Sequence, residues 1–153
     1  MENEILVTID FSESTDAVLA VALETARAHG YGMCLIHVAP PDPAFVGYDA
    51  GPQTVRDTVA GELREEHHRL QALAEQVKQA GLDAHSLCIQ GPTVEKILQA
   101  ARERKVARLV MGSHGHGALY HLLMGSVTEG VLREAPCPVL IVPSPGRDQE
   151  GDR

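Results

Sequence analysis

The chain has 153 residues, of which 44% are hydrophobic and 22% are charged, and its formal net charge at pH 7 is −8. This length and composition are ordinary for a single globular domain. The negative charge opposes a phosphate backbone, and two Phe, three Tyr and no Trp leave few platforms for base stacking, so the sequence argues against nucleic acid as a partner.

Short apolar runs alternate along the chain with segments of helical periodicity. Five runs have the length and continuous apolar character of strands that are covered on both faces: 5–9, 33–38, 84–89, 108–111 and 139–142. Four segments between them predict helices: one that Ser12 caps and Gly30 ends, one over 54–80, one that opens at Pro92, and one over 126–135. This alternation predicts one α/β domain with a parallel sheet and right-handed crossovers.

The segments outside these elements, together with the cysteines, indicate the domain limits and the cellular location of the protein. Residues 39–53 are rich in Pro and Gly and predict a long loop that could fold over a ligand, and residues 144–153 predict a polar tail after a domain of residues 1–143. The acidic start suggests no signal peptide, and no apolar run approaches ~20 residues, so we expect a cytoplasmic protein without membrane insertion. Cys34, Cys88 and Cys137 are expected in the core of a reduced protein, with a redox sensor as the alternative.

A glycine-rich segment follows the fourth predicted strand and leads into the last helix. Its spacing is Gly112-x2-Gly115-x9-Gly125-Ser126, with Gly117 between. Glycines allow backbone N–H groups to converge, and a helix start adds unpaired N–H groups and the positive end of a dipole. The segment therefore predicts a phosphate cradle. Plain turn glycines are the alternative, and Ser126 to Glu129 also reads as a capping box.

The same segment favours binding over fast chemistry. A Walker-type motif is missing, and residues 109–132 contain no Lys or Arg that could stabilise a transferred phosphoryl group. We therefore expect Mg²⁺ to offset the phosphate charge. His114, His116 and His121 suggest a metal site only weakly, because no Cys or carboxylate lies near them in sequence.

The glycine spacing resembles the nucleotide-binding signature of the universal stress protein family. Four further landmarks resemble the family in order: a first strand that ends in Asp10, the run 35–38, the loop 91–93 and the last strand 138–142. Thr8 stands where many members carry Pro. The resemblance implies a three-layer flavodoxin-like (Rossmann-like) fold with strand order 3-2-1-4-5. Ligands bind such sheets where the order reverses, which here brings Asp10 and residues 111–112 together.

The resemblance also implies a regulatory ATP-binding module that works with Mg²⁺, dimerises through its last strand and acts on an unknown protein partner. A slow ATPase or self-phosphorylating enzyme is one alternative, and a partner-binding domain without a nucleotide is the other. Asp10 is expected to bind the ribose or to hold the metal through water, or else to pair with the helix start. Val38 is expected to pack on adenine, or else to be core. The predicted ligand residues are Thr8, Ile9, Asp10, Val38, Met111, Gly112, Ser113, Gly115, Gly117, Gly125, Ser126, Val127 and Thr128.

Overall fold

The protein is represented by a computed structural model that describes residues 3–41, 53–113 and 124–144. The described strands are β1 (Glu4–Thr8), β2 (Gly32–Ala39), β3 (Ala84–Gln90), β4 (Arg108–Gly112) and β5 (Val139–Val142). The described helices are α1 (Thr15–His29), α2 (Gln53–Gln79), α3 (Thr93–Arg104) and α4 (Ser126–Glu134). Within these residues, no helix is both long enough and apolar enough to cross a bilayer.

The strands form one parallel sheet in the order β3-β2-β1-β4-β5. This confirms the predicted fold class and strand order, and each strand boundary lies within one residue of the prediction. The order reverses between β1 and β4, which pair through Ile5 and Arg108 up to Val7 and Val110. The chain therefore leaves these two strands in opposite directions and opens a crevice at their carboxyl ends.

Alternate side chains of the central strands enter two separate cores. Ile5 and Val7 pack on the face that α1 and α2 cover, whereas Leu6 packs on the face that α3 and α4 cover. All three are fully buried. Because both faces of each central strand are covered, the residues of these strands are almost all apolar. For this reason the strand positions could be predicted accurately from the sequence.

The start of α1 differs from the prediction. The helix begins at Thr15 rather than directly after Ser12, and its N-terminal flanking residue is Ser14. The hydroxyl oxygen of Ser12 accepts a 3.3 Å hydrogen bond from the Ser14 N–H, which closes a turn before the helix. The prediction of Ser12 as the helix cap is therefore wrong. The end of the helix follows the prediction, since Gly30 adopts a left-handed conformation with φ of 69° and its N–H binds the Ala26 carbonyl.

Candidate ligand cavity

A cavity of about 800 Å³ opens at the carboxyl ends of β1, β2 and β4. This volume lies in the range of small-molecule sites, roughly 300–1,000 Å³. Ten of the predicted ligand residues line it: Thr8, Ile9, Asp10, Val38, Met111, Gly112, Gly125, Ser126, Val127 and Thr128. Gly115, Gly117 and the three histidines of the glycine-rich segment lie outside the described residues, as does most of the loop after β2.

The N-terminus of α4 faces this cavity with unpaired backbone donors. Gly125 is extended, with φ of −71° and ψ of 159°, and its carbonyl accepts the first helical hydrogen bond from the Glu129 N–H at 3.0 Å. The N–H groups of residues 126–128 precede that bond, and no backbone acceptor in the described part of the chain takes them. Three donors and the positive end of the helix dipole therefore point toward the cavity.

The predicted capping box at this helix start is wrong. Gly125, which has no side chain to act as a cap, occupies the flanking position, and Ser126 is already the first helical residue. The carboxylate of Glu129 instead binds Arg133 at 2.7 Å. The Ser126 side chain is exposed at the rim of the cavity, where capping does not engage its hydroxyl.

Thr128 and Ser113 join the helix start to the sheet. The hydroxyl of Thr128, which is 3% exposed, donates a 2.8 Å hydrogen bond to the carbonyl of Gly112. The N–H of Ser113 binds the Val142 carbonyl, and the Ser113 carbonyl accepts from the Gly125 N–H at 2.7 Å. Ser113 is buried and does not line the cavity. Ser113 therefore lies outside the cavity, where its backbone hydrogen bonds to Val142 and Gly125 hold the two ends of the glycine-rich segment.

The opposite wall of the cavity is the turn that follows β1. Asp10 is exposed, and its Oδ1 accepts a 2.9 Å hydrogen bond from the Ser12 N–H. Its Oδ2 has no partner within the described residues. Phe11 follows in the left-handed region with φ of 58°, which a bulky side chain rarely adopts. One carboxylate oxygen thus holds the turn before α1, rather than the first turn of the helix as the alternative predicted, while the other is available to a ligand.

An apolar wall completes the cavity on the side of α3. Its members come from β2, α3, β4 and α4 and are Ile36, Val38, Ile97, Met111 and Val127. Val38 is half-buried and packs against the core on that side of the sheet. A surface of this kind can hold the flat face of a nucleobase.

Twelve residues that line the cavity were not among the predicted ligand residues. Four of them form one connected group: Phe11, His37, Glu66 and Arg69. The imidazole Nδ1 of His37 lies 2.7 Å from the Ile9 carbonyl oxygen, and its Nε2 lies 3.2 Å from Glu66 Oε2. The His37 and Phe11 rings are 4.7 Å apart between centroids, and the guanidinium carbon of Arg69 lies 4.2 Å from the Phe11 ring centroid. The cavity therefore contains a cation, Arg69, that α2 contributes. The sequence prediction considered cations only within residues 109–132 and so did not include it.

Two signals in the sequence could have pointed to this group. His37 is a polar residue inside an otherwise apolar strand, and Glu66 interrupts the apolar stripe that Leu63, Leu70 and Leu73 follow along α2. The charge of Glu66 also reaches the neighbouring strand: burial raises the pKa of the Cys88 thiol, and the nearby Glu66 carboxylate raises it further.

A second polar cluster lies at the opposite edge of the sheet. Glu4, Cys34 and His85 bring one potential metal-binding atom each to within 4.8 Å of one another. Arg104, however, binds both carboxylate oxygens of Glu4 at 2.8 and 3.1 Å and also contacts the His85 ring. Because a guanidinium already neutralises the carboxylate, this cluster is an ion-pair network that joins α3 to the strand starts.

Comparison with known proteins agrees with the fold and with the sequence landmarks. A profile of the universal stress protein family matches residues 1–143. The "Universal stress protein in QAH/OAS sulfhydrylase 3'region" of Thermus aquaticus is 35% identical over 143 residues, which cover 93% of this chain and 99% of the relative.

Solved structures give the same architecture. Protein MJ0577 of Methanocaldococcus jannaschii superposes with a TM-score of 0.74 at 25% identity, over 95% of this chain and 99% of that one. A universal stress protein from Archaeoglobus fulgidus, solved in complex with dAMP, superposes with a TM-score of 0.63 over 91% of this chain and 96% of that one. At 20% identity, the latter likeness shows the shared fold alone.

Proposed function

Because the chain belongs to the universal stress protein family, we propose that its cavity binds ATP together with Mg²⁺ and that the protein is a regulatory binding module. Binding of the nucleotide would change a surface of the protein that a partner protein recognises and binds. One observation carries the proposal. The N–H groups at the start of α4, which no backbone acceptor among the described residues takes, and the Asp10 carboxylate both line a single cavity at the sheet reversal.

The electrostatics of the cavity support an anionic ligand. Residues at the N-termini of three helices line it, namely Thr15 of α1, Thr93 of α3 and Ser126 of α4. Each helix presents the positive end of its dipole there, equivalent to about half an elementary charge. Since the chain as a whole carries a net charge of −8, these helix starts supply positive charge on one side of the cavity, while Asp10 and Glu66 place negative charge on the other.

The chemistry of the opposite wall suits the other parts of a nucleotide. Asp10 Oδ2, which has no partner among the described residues, can accept a hydrogen bond from a ribose hydroxyl or from a water bound to Mg²⁺. Mg²⁺ prefers oxygen ligands and retains several waters. Val38 and its apolar neighbours can pack on the base. The dAMP complex of the Archaeoglobus fulgidus protein makes adenine nucleotides the first class to test, although the proposal rests on the cavity itself.

Rapid hydrolysis is not expected. The cation that α2 supplies, Arg69, is stacked on the Phe11 ring next to His37, on the α2 side of the cavity. The start of α4 offers backbone donors rather than a cationic clamp for a phosphoryl transition state. Turnover should therefore stay far below the ~1–100 s⁻¹ of kinases. Steady phosphate release in that range, absent from an Asp10→Ala variant, would place the protein among the enzymes.

Two measurements test the proposal. The purified protein is denatured, and any released nucleotide is identified by chromatography and mass spectrometry. Titration calorimetry then compares the wild type with Asp10→Ala and Asp10→Asn, with and without Mg²⁺. The Asn variant keeps an oxygen for the Ser12 N–H, so it separates the ligand role from the turn.

We expect both variants to weaken ATP binding by roughly 1–3 kcal/mol, the usual scale for an unpaired polar group. Asp16→Asn, an exposed change in the first turn of α1, serves as the control. Wild-type affinity in both Asp10 variants would reassign Asp10 to the turn alone. A folded wild-type protein that neither releases nor binds any nucleotide would favour a partner-binding domain with a different pocket.

A further inference from the structure

The His37 ring carries a hydrogen on Nδ1. That atom lies 2.7 Å from the carbonyl oxygen of Ile9, and a carbonyl oxygen can only accept a hydrogen bond. In the neutral ring, the second nitrogen, Nε2, is then an acceptor. The tautomer is therefore fixed by the backbone at the end of β1.

The contact of Nε2 with Glu66 then depends on protonation. Nε2 lies 3.2 Å from Glu66 Oε2, the side chain of His37 is only 9% exposed, and Nε2 makes no aligned hydrogen bond. With a neutral ring, two acceptors face each other across a partly buried contact, which is unfavourable. With a proton on Nε2, the same contact becomes an attraction between opposite charges. The observed arrangement is thus the one that a charged imidazole stabilises.

The residues that His37 holds are those that place Asp10. Ile9 is fixed through its N–H, which binds the Ile36 carbonyl at 2.8 Å, and through its carbonyl, which binds His37. Phe11 is held in its left-handed conformation between the His37 ring and the Arg69 guanidinium. Asp10 is the residue between these two fixed points. Glu66 and Arg69 lie three positions apart on α2, so the same contacts also hold α2 against the turn.

We propose that His37 is a proton-dependent positioning residue, which in its charged form ties α2 to the Asp10 turn and thereby raises the affinity of the cavity for its nucleotide. This inference rests on the proposed function for its ligand. It predicts that affinity rises as pH falls through the range in which imidazoles charge. The ring itself is not expected to touch the ligand, because its Nε2 is buried.

The surrounding charges favour this role. α2 presents the Glu66 carboxylate and the Arg69 guanidinium, and the turn after β1 adds the Asp10 carboxylate in the same cavity. On β3, the residue paired with His37 is Cys88, whose raised pKa keeps its thiol neutral near pH 7. The residues of α1 that line the cavity are uncharged: Ser14, Thr15 and Val18. Two carboxylates and one guanidinium therefore lie in the cavity that the ring lines, and the Glu66 carboxylate is the one in contact with it.

The first experiment measures ATP affinity with Mg²⁺ from about pH 5.5 to 8.5 in the wild type, His37→Asn and Glu66→Gln. Asn can still donate to the Ile9 carbonyl but cannot charge, and Gln keeps the shape of Glu66 without its carboxylate. ATP itself titrates in this range, so the quantity compared is the ratio of variant to wild-type Kd at each pH. Glu65→Gln, an exposed neighbour on α2, is the matched control.

We expect the ratio to reach roughly threefold to tenfold at the acid end for both variants, on the scale of one partly exposed charged contact. At the alkaline end it should be near one for His37→Asn and at or below one for Glu66→Gln, whose amide can donate to the neutral Nε2. The control should stay near one throughout. A ratio that is constant with pH in both variants overturns the proposal, even if both bind weakly, since a merely structural His37 would lower affinity equally at every pH.

The second experiment needs no nucleotide and so separates this inference from the proposed function. Amide hydrogen exchange along α2 is compared between the wild type and each variant at the same pH. We expect faster exchange around residues 66–70 in both variants at pH 6, and exchange no faster than that of the wild type at pH 8.5. Equal exchange at both pH values overturns the tether, whatever the protein binds.

Discussion

The hydroxyl of Thr128 donates a 2.8 Å hydrogen bond to the carbonyl oxygen of Gly112. Thr128 stands in the first turn of α4, and Gly112 is the last residue of β4. This bond fixes the distance between the helix start and the strand end, and both line the ligand cavity. The bond also uses the Thr128 hydroxyl proton, so this residue can offer a ligand only its backbone N–H or its oxygen as an acceptor.

Thr128→Val should weaken nucleotide binding and lower stability. The valine fills the same space but leaves the Gly112 carbonyl without this donor, which costs about 1–3 kcal/mol for a buried group. Thr128→Ser restores the hydroxyl and should recover most of the binding, although it removes a buried methyl group. Calorimetric titration and urea unfolding measure the two effects. A valine variant with wild-type affinity would show that the helix start does not depend on this bond.

Gly130 allows α4 to approach α3. A Cβ built at this position would lie 2.9 Å from Val94 Cγ2, closer than real contacts allow, and 3.3 Å from Val94 Cγ1, which is tight. Gly130→Ala should therefore destabilise the protein by about 1 kcal/mol, because overlap outweighs the gain in helix propensity. In a Val94→Ala background the overlap disappears, and the same change should be stabilising. Equal effects of Gly130→Ala in the two backgrounds, measured by urea unfolding, would contradict this packing account.

The sequence predicted the sheet well because its signal is local and strong. The buried strands are continuous apolar runs, and glycine or proline marks the limits of several helices, as at Gly30 and Pro92. The strand order, by contrast, came from the family resemblance rather than from the pattern. The predicted cradle and Asp10 turn depend on that order, since only the reversal between β1 and β4 brings them to one cavity.

The helix caps were predicted less well because the side-chain preference of a residue for the cap position competes with the backbone conformation that its neighbours impose. Ser12 and Ser126 both have the side chain of a cap. The left-handed Phe11 and the bond between Asp10 and the Ser12 N–H keep the chain in a turn until residue 14. At α4, the extended Gly125 already supplies the flanking position. Backbone conformation that the neighbours impose thus decided both helix starts.

The contribution of α2 could not be predicted in detail. Apolar periodicity shows which face of a helix is buried, but not how far the helix is rotated or shifted along the sheet. The meeting of Glu66 with His37 and of Arg69 with Phe11 depends on that placement. These contacts link residues more than 25 positions apart. The unusual positions of His37 and Glu66 mark them as candidates, but the sequence does not show that they meet.

Cys34 should make stability depend on pH in the alkaline range. Burial raises the pKa of its thiol from 9.0 to about 11, the Arg104 charge lowers it, and the Glu4 charge raises it again. Because the folded protein keeps this proton longer than the unfolded chain does, the stabilisation is fully present below pH 9 and is lost as pH rises toward 11.

Urea unfolding of the wild type and Cys34→Ala from pH 8 to 10.5 measures this contribution. Other thiols and tyrosines titrate in both proteins, so the informative quantity is the difference between their free energies of unfolding. The wild type should lose about 2 kcal/mol relative to the variant over this range. A difference that does not change with pH would mean that the thiol has the same pKa in the folded and unfolded chains.

The last strand is expected to join two copies of the protein. β5 lies at the edge of the sheet and pairs with β4 alone among the described strands, and Leu140 on it is 37% exposed. An apolar edge of this kind invites pairing with another strand, and pairing about a two-fold axis closes the assembly. The alternative is a monomer whose edge is blunted by Pro136, Pro138 and Pro143.

Leu140→Lys should place a charge in the interface and shift the measured mass toward that of the monomer, whereas Gln71→Lys on the exposed face of α2 should leave the mass unchanged. Light scattering at micromolar concentration measures both variants, and a wild type that is monomeric under those conditions would refute the dimer.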